Sequence, residues 1–321
     1  MLPDLKTQPG GALPGAAGAA CPACGGTLGA GVAVLSSEPA LIEENYYLRR
    51  CGSCGSAVTV GAAPPELYES GAYQPRRPRL HRAALPLLRM FDRHRLSMIG
   101  QLAAPPARLL DVGAGRGRFV ASARGAGYHA IGIEPNSPQD SGSPVQRESI
   151  EQAEFAAGEF DVVVMWHVLE HLERPGEGLE RVGRWLRPGG ALLVGVPNFV
   201  SLQARIGAGW WFHLDVPRHR VHFTPDGLDE LLRRHGFSVV RSRHLLIEHN
   251  QFGMWQTLVN RATSHPSYLY NLLKHNAPVR SVDLAVSVAA LSLAPVAGVL
   301  ELAAGMAGRG GTISVLAQRE G

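Results

Sequence analysis

Leu109-Leu110-Asp111-Val112-Gly113-Ala114-Gly115-Arg116-Gly117-Arg118-Phe119 reads as an apolar strand that ends in a carboxylate, a glycine turn, and the start of a helix. A glycine-rich turn between strand and helix lets backbone approach a ligand closely and aims free helix N-terminal amides at it. The dinucleotide fingerprint asks for a third glycine five residues after the first. Arg118 stands there, so a pyrophosphate cradle loses support. Asp111, two places before the first glycine, instead offers a carboxylate where a cationic amine could be held.

Further strands follow in order. Tyr128 to Glu134 reads as a second strand, ending in an acid 23 residues after Asp111. Val145-Gln146-Arg147 reads as a short third, Phe160 to Met165 as a buried fourth, and Leu186 to Gly190 as a turn into a fifth at Ala191 to Val196. Together these signals resemble the class I S-adenosylmethionine-dependent methyltransferases. The resemblance implies an α/β fold, a doubly wound seven-stranded sheet, with ligand at the carboxyl ends of the strands. It implies S-adenosylmethionine as cofactor, held by Asp111, Gly113, Gly115 and Gly117, with Glu134 accepting from the ribose hydroxyls. Ser149 and Ile150 would lie beside the adenine, with Glu148 or Ser149 in the place of the usual small or acidic residue.

All four cysteines lie in one segment, Cys21-Pro22-Ala23-Cys24-Gly25 and Cys51-Gly52-Ser53-Cys54-Gly55, with 26 residues between the knuckles. This spacing reads as one tetrahedral zinc site with four thiolate ligands, Cys21, Cys24, Cys51 and Cys54. Two disulfides or a redox pair are the competing readings; two matched knuckles without a spare cysteine favour zinc. Four thiolates leave no open coordination position, so the Zn2+ is expected to be structural.

The chain has 321 residues, is 45% hydrophobic and carries a net charge of +4. That supports about two domains with a substantial core, and the modest positive charge does not choose among acidic substrates, nucleic acid or solubility. Residues 1–20 are rich in Gly, Ala and Pro and lack the pattern of a signal peptide; they read as a disordered lead-in to a cytoplasmic protein. The expected map continues with a zinc ribbon at 21–62, a helical linker or cap at 63–105, and a methyltransferase domain at 106–321 with a helical insertion at 246–308. The Pro64 to Tyr73 link is similar to that of bacterial methyltransferases with an N-terminal ribbon. From Pro86, read as a first helical position, Leu87, Leu88, Phe91, Met98, Ile99 and Leu102 recur at helical spacing. Arg89 and Arg93 fall on the other face, which reads as a solvated face or a phosphate contact. Arg95 falls inside the apolar stripe.

His167-Val168-Leu169-Glu170-His171 matches the H-x-x-E-H pattern of inverted zinc peptidases. Its place after the fourth strand suits the resemblance better, because similar methyltransferases begin a helix there with Val-Leu-Glu-His-Leu. Some ubiquinone-pathway O-methyltransferases hold a divalent cation in this segment; Glu170 and His171 match that pattern, whereas His167 replaces an acid. His167, near the carboxyl end of a central strand, is a candidate general base or substrate contact, with a hydrogen-bonded core histidine as the alternative. A second cluster runs from Trp210 to Thr224. His213, Asp215 and His219 are candidates for the substrate site there, with fold-supporting hydrogen bonds as the alternative. Thr224 and Pro225 read as the cap and first position of a helix running to about His235.

Gly236 to Ser242 and Gly311 to Ala317 read as the sixth and seventh strands, which the resemblance makes an antiparallel pair with the seventh beside the fifth. The residues between them form the insertion. It contains an uncharged run from Leu284 to Leu300, broken by Pro295, which reads as an apolar helical hairpin serving as lid, homodimer contact or peripheral membrane contact. A single span is short of the ~20 apolar residues needed. The expected reaction is methyl transfer to an oxygen or nitrogen of a small-molecule acceptor: a natural product, a sugar or a lipid-linked intermediate. An RNA methyltransferase and a non-catalytic cofactor-binding scaffold are the other classes; no RNA-reading motif is present, so nucleic acid is not an expected partner.

Overall fold

The structure is a computed structural model that describes residues 19–64, 67, 81–137, 142–246, 248 and 250–321. Most of the lead-in at 1–20, and Pro65, Glu66 and Tyr68 to Tyr73 of the link, lie outside the described residues. The chain divides into two units, each drawn from several stretches. One comprises 81–196, 228–243 and 314–321; the other comprises the chain up to Leu80 together with 197–227 and 244–313.

The first unit is built on a seven-stranded sheet. Its strands are β4 (Arg108–Val112), β5 (His129–Ile133), β6 (Val145–Gln146), β7 (Phe160–Trp166), β8 (Leu186–Pro197), β10 (Phe237–Arg243) and β11 (Thr312–Arg319), in the order β10-β11-β8-β7-β4-β5-β6. β4 pairs in parallel with β5 and β7, β7 with β8, and β10 runs antiparallel to β11. Leu109, Leu110, Val162, Val163, Val164, Leu192, Leu193 and Val194 are all buried. Such continuous apolar runs are what a parallel sheet covered on both faces demands. α1 (His81–Ile99), α2 (Arg118–Gly125), α3 (Pro175–Trp185) and α5 (Pro225–Arg234) belong to this unit, apart from the first turn of α5.

Three local expectations need correction. Pro86 is not a first helical position: α1 begins at His81 and carries Pro86 inside it, and Leu87 of the expected apolar stripe is exposed. Leu186 to Gly190 is not a turn before the fifth strand but its first part. Its pairing with β7 shifts register between Phe160 and Val162, and Gly189 takes a left-handed φ of 71°. The residues after β7 do not start a helix at Val168; Leu169–His171 is a single 3-10 turn, and α3 begins only at Pro175.

In the other unit, β1 (Leu28–Val34), β2 (Tyr46–Cys51) and β3 (Ala57–Val60) form an antiparallel sheet that β9 (Val221–His222) extends through Ala57 and Val58. Thr224 Oγ1 accepts from Gly227 N–H at 3.1 Å, capping α5 as its sequence suggests. Helices α4 (Leu202–Gly207), α6 (Asn250–Val259), α7 (Tyr268–Leu273), α8 (Ser281–Ala289) and α9 (Ala294–Met306) complete the unit. The apolar stretch is not a hairpin in itself. α8, a 3-10 turn at Ala290–Leu293 and α9 form one helical run of 26 residues, Ser281–Met306. Pro295 is tolerated because it sits in the first turn of α9, where a missing N–H costs little.

Candidate functional site

Asp111 and Glu134 stand at the carboxyl ends of the neighbouring parallel strands β4 and β5, and the turn between β4 and α2 crosses in front of them. Gly113 and Gly115 have left-handed φ angles of 75° and 54°, which glycine adopts without strain. A Cβ on Gly113 would come within 2.4 Å of Val168 Cγ2, so this position is closed to other residues on two grounds. Gly115 N–H donates to Glu134 Oε2 and Asn136 N–H to Oε1, each at 3.2 Å. The two donors aim the carboxylate across the glycine turn. Gly117 is also left-handed, at 73°, and precedes α2. Ile150 is buried and Ser149 half-buried just beyond β6, where Ser149 N–H donates to Gln152 Oε1 at 3.3 Å.

Burial pushes the Asp111 carboxyl up to about 7, against the pull of Arg95 and Arg118. Arg95 is the residue whose role only the fold discloses. Its guanidinium carbon lies 4.4 Å from the Trp166 ring centroid and 5.7 Å from that of Phe119, a cation over aromatic faces that is itself buried. Its misfit within the apolar stripe of α1 was the available signal. Nearby, Asp92 pairs with Arg118 and accepts from Ser122 Oγ at 2.8 Å.

The raised Asp111 value fixes a sign. A carboxyl whose folded value is above the ordinary 3.8 contributes most stability below that pH and loses it as pH rises to about 7. Asp111→Asn should therefore gain on the wild type by roughly 2–4 kcal/mol between pH 4 and pH 7.5 in the ligand-free protein. Thermal unfolding followed by circular dichroism across that range checks it; a difference independent of pH would contradict the burial.

His167 directly follows β7, with its N–H donating to Gly195 O at 2.9 Å. Its φ of 54° is left-handed, an expensive conformation for a residue other than glycine. The side chain is one-quarter exposed, and Nδ1 lies 2.9 Å from Glu170 Oε1, a carboxylate almost wholly buried. The 3-10 turn makes this pair, three residues apart, possible. Glu170 thus orients a histidine that keeps part of its ring accessible.

His213, Asp215 and His219 lie in the other unit; the two histidines are buried and the Asp215 side chain is one-quarter exposed. Arg218, among the largest fully buried side chains, donates to both Asp215 oxygens at 3.1, 3.1 and 2.7 Å and to Glu38 at 2.6 Å. Ser37 Oγ donates to Asp215 at 2.6 Å. Burial acts to raise the Asp215 value, but Arg218 first and His219 next hold it well below the carboxylate range. His219 Nδ1 lies 2.9 Å from His213 O. Asn276 adds two donations to Glu38 at 2.9 and 3.0 Å. One buried guanidinium thus bridges two carboxylates, and Ser37 and Asn276 add neutral donors to them.

The four cysteine sulfurs lie within 4.8 Å of one another, with 3.8 Å between those of Cys21 and Cys54 and 3.5 Å between those of Cys24 and Cys51. A tetrahedron of ~2.3 Å zinc–sulfur bonds has edges close to this, and no disulfide joins them. Gly25 and Gly55, both left-handed, close the two knuckles by donating to Cys21 O at 2.8 Å and Cys51 O at 3.2 Å. Burial pushes the Cys21 and Cys24 thiols up; it acts to raise the Cys51 thiol too, yet backbone donation from Cys54 and Ser53 and contact with Cys24 and Cys54 bring that one down to about 6. The set fits zinc. A depression lined by Arg108, Arg124, Tyr128, His129 and Phe160 lies at the opposite ends of β4 and β5 from the glycine turn.

A methyltransferase domain family matches residues 76–242, more than half of the chain. The chain belongs to that family, and with its sheet order and glycine turn it falls among the class I S-adenosylmethionine-dependent methyltransferases. Similar curated proteins include the ubiquinone biosynthesis O-methyltransferase of Aromatoleum aromaticum, 32% identical over 103 residues, 28% of this chain and 44% of that one. That of Cereibacter sphaeroides is 31% identical over 150 residues, 41% and 61% of the two chains. The chain spans about half the length of the curated relatives it matches. Among solved structures, the 1,6-didemethyltoxoflavin-N1-methyltransferase of Burkholderia thailandensis is 17% identical, with a TM-score of 0.42, over 84% of this chain and 98% of that one. An S-adenosylmethionine-dependent methyltransferase of Archaeoglobus fulgidus is 18% identical, with a TM-score of 0.45, over 72% and 94%.

Proposed function

We propose that the protein transfers a methyl group from S-adenosylmethionine to a small-molecule acceptor, with a hydroxyl oxygen as the favoured atom and an amine nitrogen as the other atom such a site would serve. The observation that carries the reading is the pair of carboxylates, Asp111 and Glu134, on adjoining strand ends either side of a left-handed glycine turn. The names of the curated relatives favour oxygen. When bound, the cofactor supplies an electrophilic sulfonium methyl and a thioether leaving group.

Glu134 would accept from two vicinal ribose hydroxyls with a carboxylate already aimed by backbone donors. Asp111 and Arg95 offer a buried carboxyl, which a bound ammonium would hold ionised, and a buried cation, which suits the ammonium and carboxylate of an amino-acid moiety. Gly113 and Gly115 allow the ligand to approach the backbone. Ser149 and Ile150 would flank the adenine. His167, with its Nδ1 hydrogen given to Glu170, would present Nε2 as the acceptor for the proton released when a hydroxyl attacks. Asp215 and His219 would support the fold, since Arg218 and Ser37 engage Asp215 and the His213 carbonyl engages His219. Four thiolates from Cys21, Cys24, Cys51 and Cys54 would hold one structural zinc.

The test is transfer of a radiolabelled methyl group from S-adenosylmethionine to a panel of catechols, phenols, sugars, amines and polyprenylated phenols. Label recovered as an O-methyl or N-methyl product is the expected result. Tight cofactor binding with no transfer to any class would favour the scaffold reading.

A further inference from the structure

We propose that the outward face of the Ser281–Met306 helical run docks on the surface of an anionic lipid bilayer. Val282 and Met306 are each 73% exposed, and Val288, Leu291, Val296 and Val299 are more than half exposed. Soluble proteins rarely leave so large a contiguous apolar surface unpartnered.

The run carries two acids, and both are turned inward. Asp283 accepts from Ser264 N–H at 2.9 Å and from Ser264 Oγ at 2.5 Å. Glu301 accepts from Gln203 Nε2 and from Gly311 N–H, each at 2.7 Å. Both are buried. From residue 261 to residue 309 the sequence holds no other acid, but it holds Arg261, Lys274, Arg280 and Arg309. Arg261, Arg280 and Arg309 are exposed. The outward surface is therefore apolar along its length and cationic at both ends.

Length and composition alone would let the run cross a membrane. Its inner face forbids that. Ala297 joins Met254, Trp255 and Val259 of α6 in a buried cluster, and Trp255 Nε1 donates to Ala290 O at 2.7 Å. The chain on either side leads to β10 and β11, neighbours in one sheet. The run must therefore lie flat, about 39 Å long by its residue count, as interfacial helices do. Pairing with a second copy would set cationic ends against cationic ends with no exposed acid to answer them. Anionic headgroups complement those ends, and the acyl boundary accepts the apolar face between them.

The proposal is independent of the methyl-transfer reading, because vesicle binding needs neither cofactor nor acceptor. Flotation of the full-length protein with phosphatidylglycerol-containing vesicles and with phosphatidylcholine vesicles tests it. The expected result is recovery with the anionic vesicles, at least ten-fold lower recovery with the neutral ones, and loss in the Val288→Asp, Leu291→Asp, Val299→Asp triple variant. Arg280→Glu with Arg309→Glu should abolish the preference for anionic vesicles while leaving the thermal transition unchanged. Failure to float with anionic vesicles would overturn the proposal. So would undiminished flotation of the triple variant, or light scattering that finds a wild-type dimer which the triple variant converts to monomer.

Discussion

His167→Asn is expected to lower kcat by ~10²–10⁴-fold, the usual worth of a positioned general base, while S-adenosylmethionine binding stays within about three-fold of wild type by calorimetry. Asparagine is the informative replacement because it tolerates the left-handed backbone that His167 adopts, φ 54°, so a loss of turnover would not merely report a strained turn. Glu170→Gln should fall between the two. It removes the charge that orients the imidazole across 2.9 Å but keeps an acceptor oxygen, and its effect should appear in kcat rather than in cofactor affinity. If His167→Asn lost cofactor affinity and kept turnover per bound complex, His167 would be a binding residue and not a base.

Cys51→Ala is expected to abolish bound zinc and most soluble expression. The β1–β3 segment that the knuckles close is too small to bury much apolar surface, and structural zinc supplies an apparent ~10–16 kcal/mol in comparable small sites at neutral pH. The loss should spread beyond the segment, because β9 pairs with β3 and Thr224 Oγ1 donates to Cys54 O at 2.7 Å. Zinc released by a thiol-modifying reagent and titrated with a chromophoric chelator should reach one ion per wild-type chain and none in the variant. A soluble, thermally unaltered variant would contradict a structural metal.

The glycine turn and the strands were legible because their signals are local. Asp111, Gly113 and Gly115 sit within five residues, and a buried parallel strand announces itself as an apolar run such as Val162 to Val164. The order of the last two strands came from the resemblance, not from the residues themselves, and the sheet has that order. What was not legible depends on contacts between distant residues. Nothing near Asp215 foretells that Arg218 also reaches Glu38, 180 residues away, so the sequence shows a cluster of histidines, arginines and an acid without the ionic contacts that tie Asp215 into the fold. The addition of β9 to the ribbon sheet is hidden for the same reason, since two residues carry no periodicity. Pro86 and Pro295 misled in opposite senses. The first lies inside a helix that starts earlier, and the second follows a 3-10 turn without ending the helical run. Arg95 was anomalous on its helix, but the aromatic rings and the carboxylate that explain it come from other elements.

The central claim is that Asp111, Glu134 and the glycine turn hold S-adenosylmethionine, and calorimetric titration of the purified protein, with Glu134→Ala beside it, tests it most directly. Glu134 is only partly buried, so the variant should fold. Micromolar binding by the wild type is the expected result, and loss of two hydrogen bonds to a charged acceptor, at ~1.5–3 kcal/mol each, predicts at least ~100-fold weaker binding by the variant. Absence of binding by folded wild-type protein, or equal affinity in the two, would contradict the account.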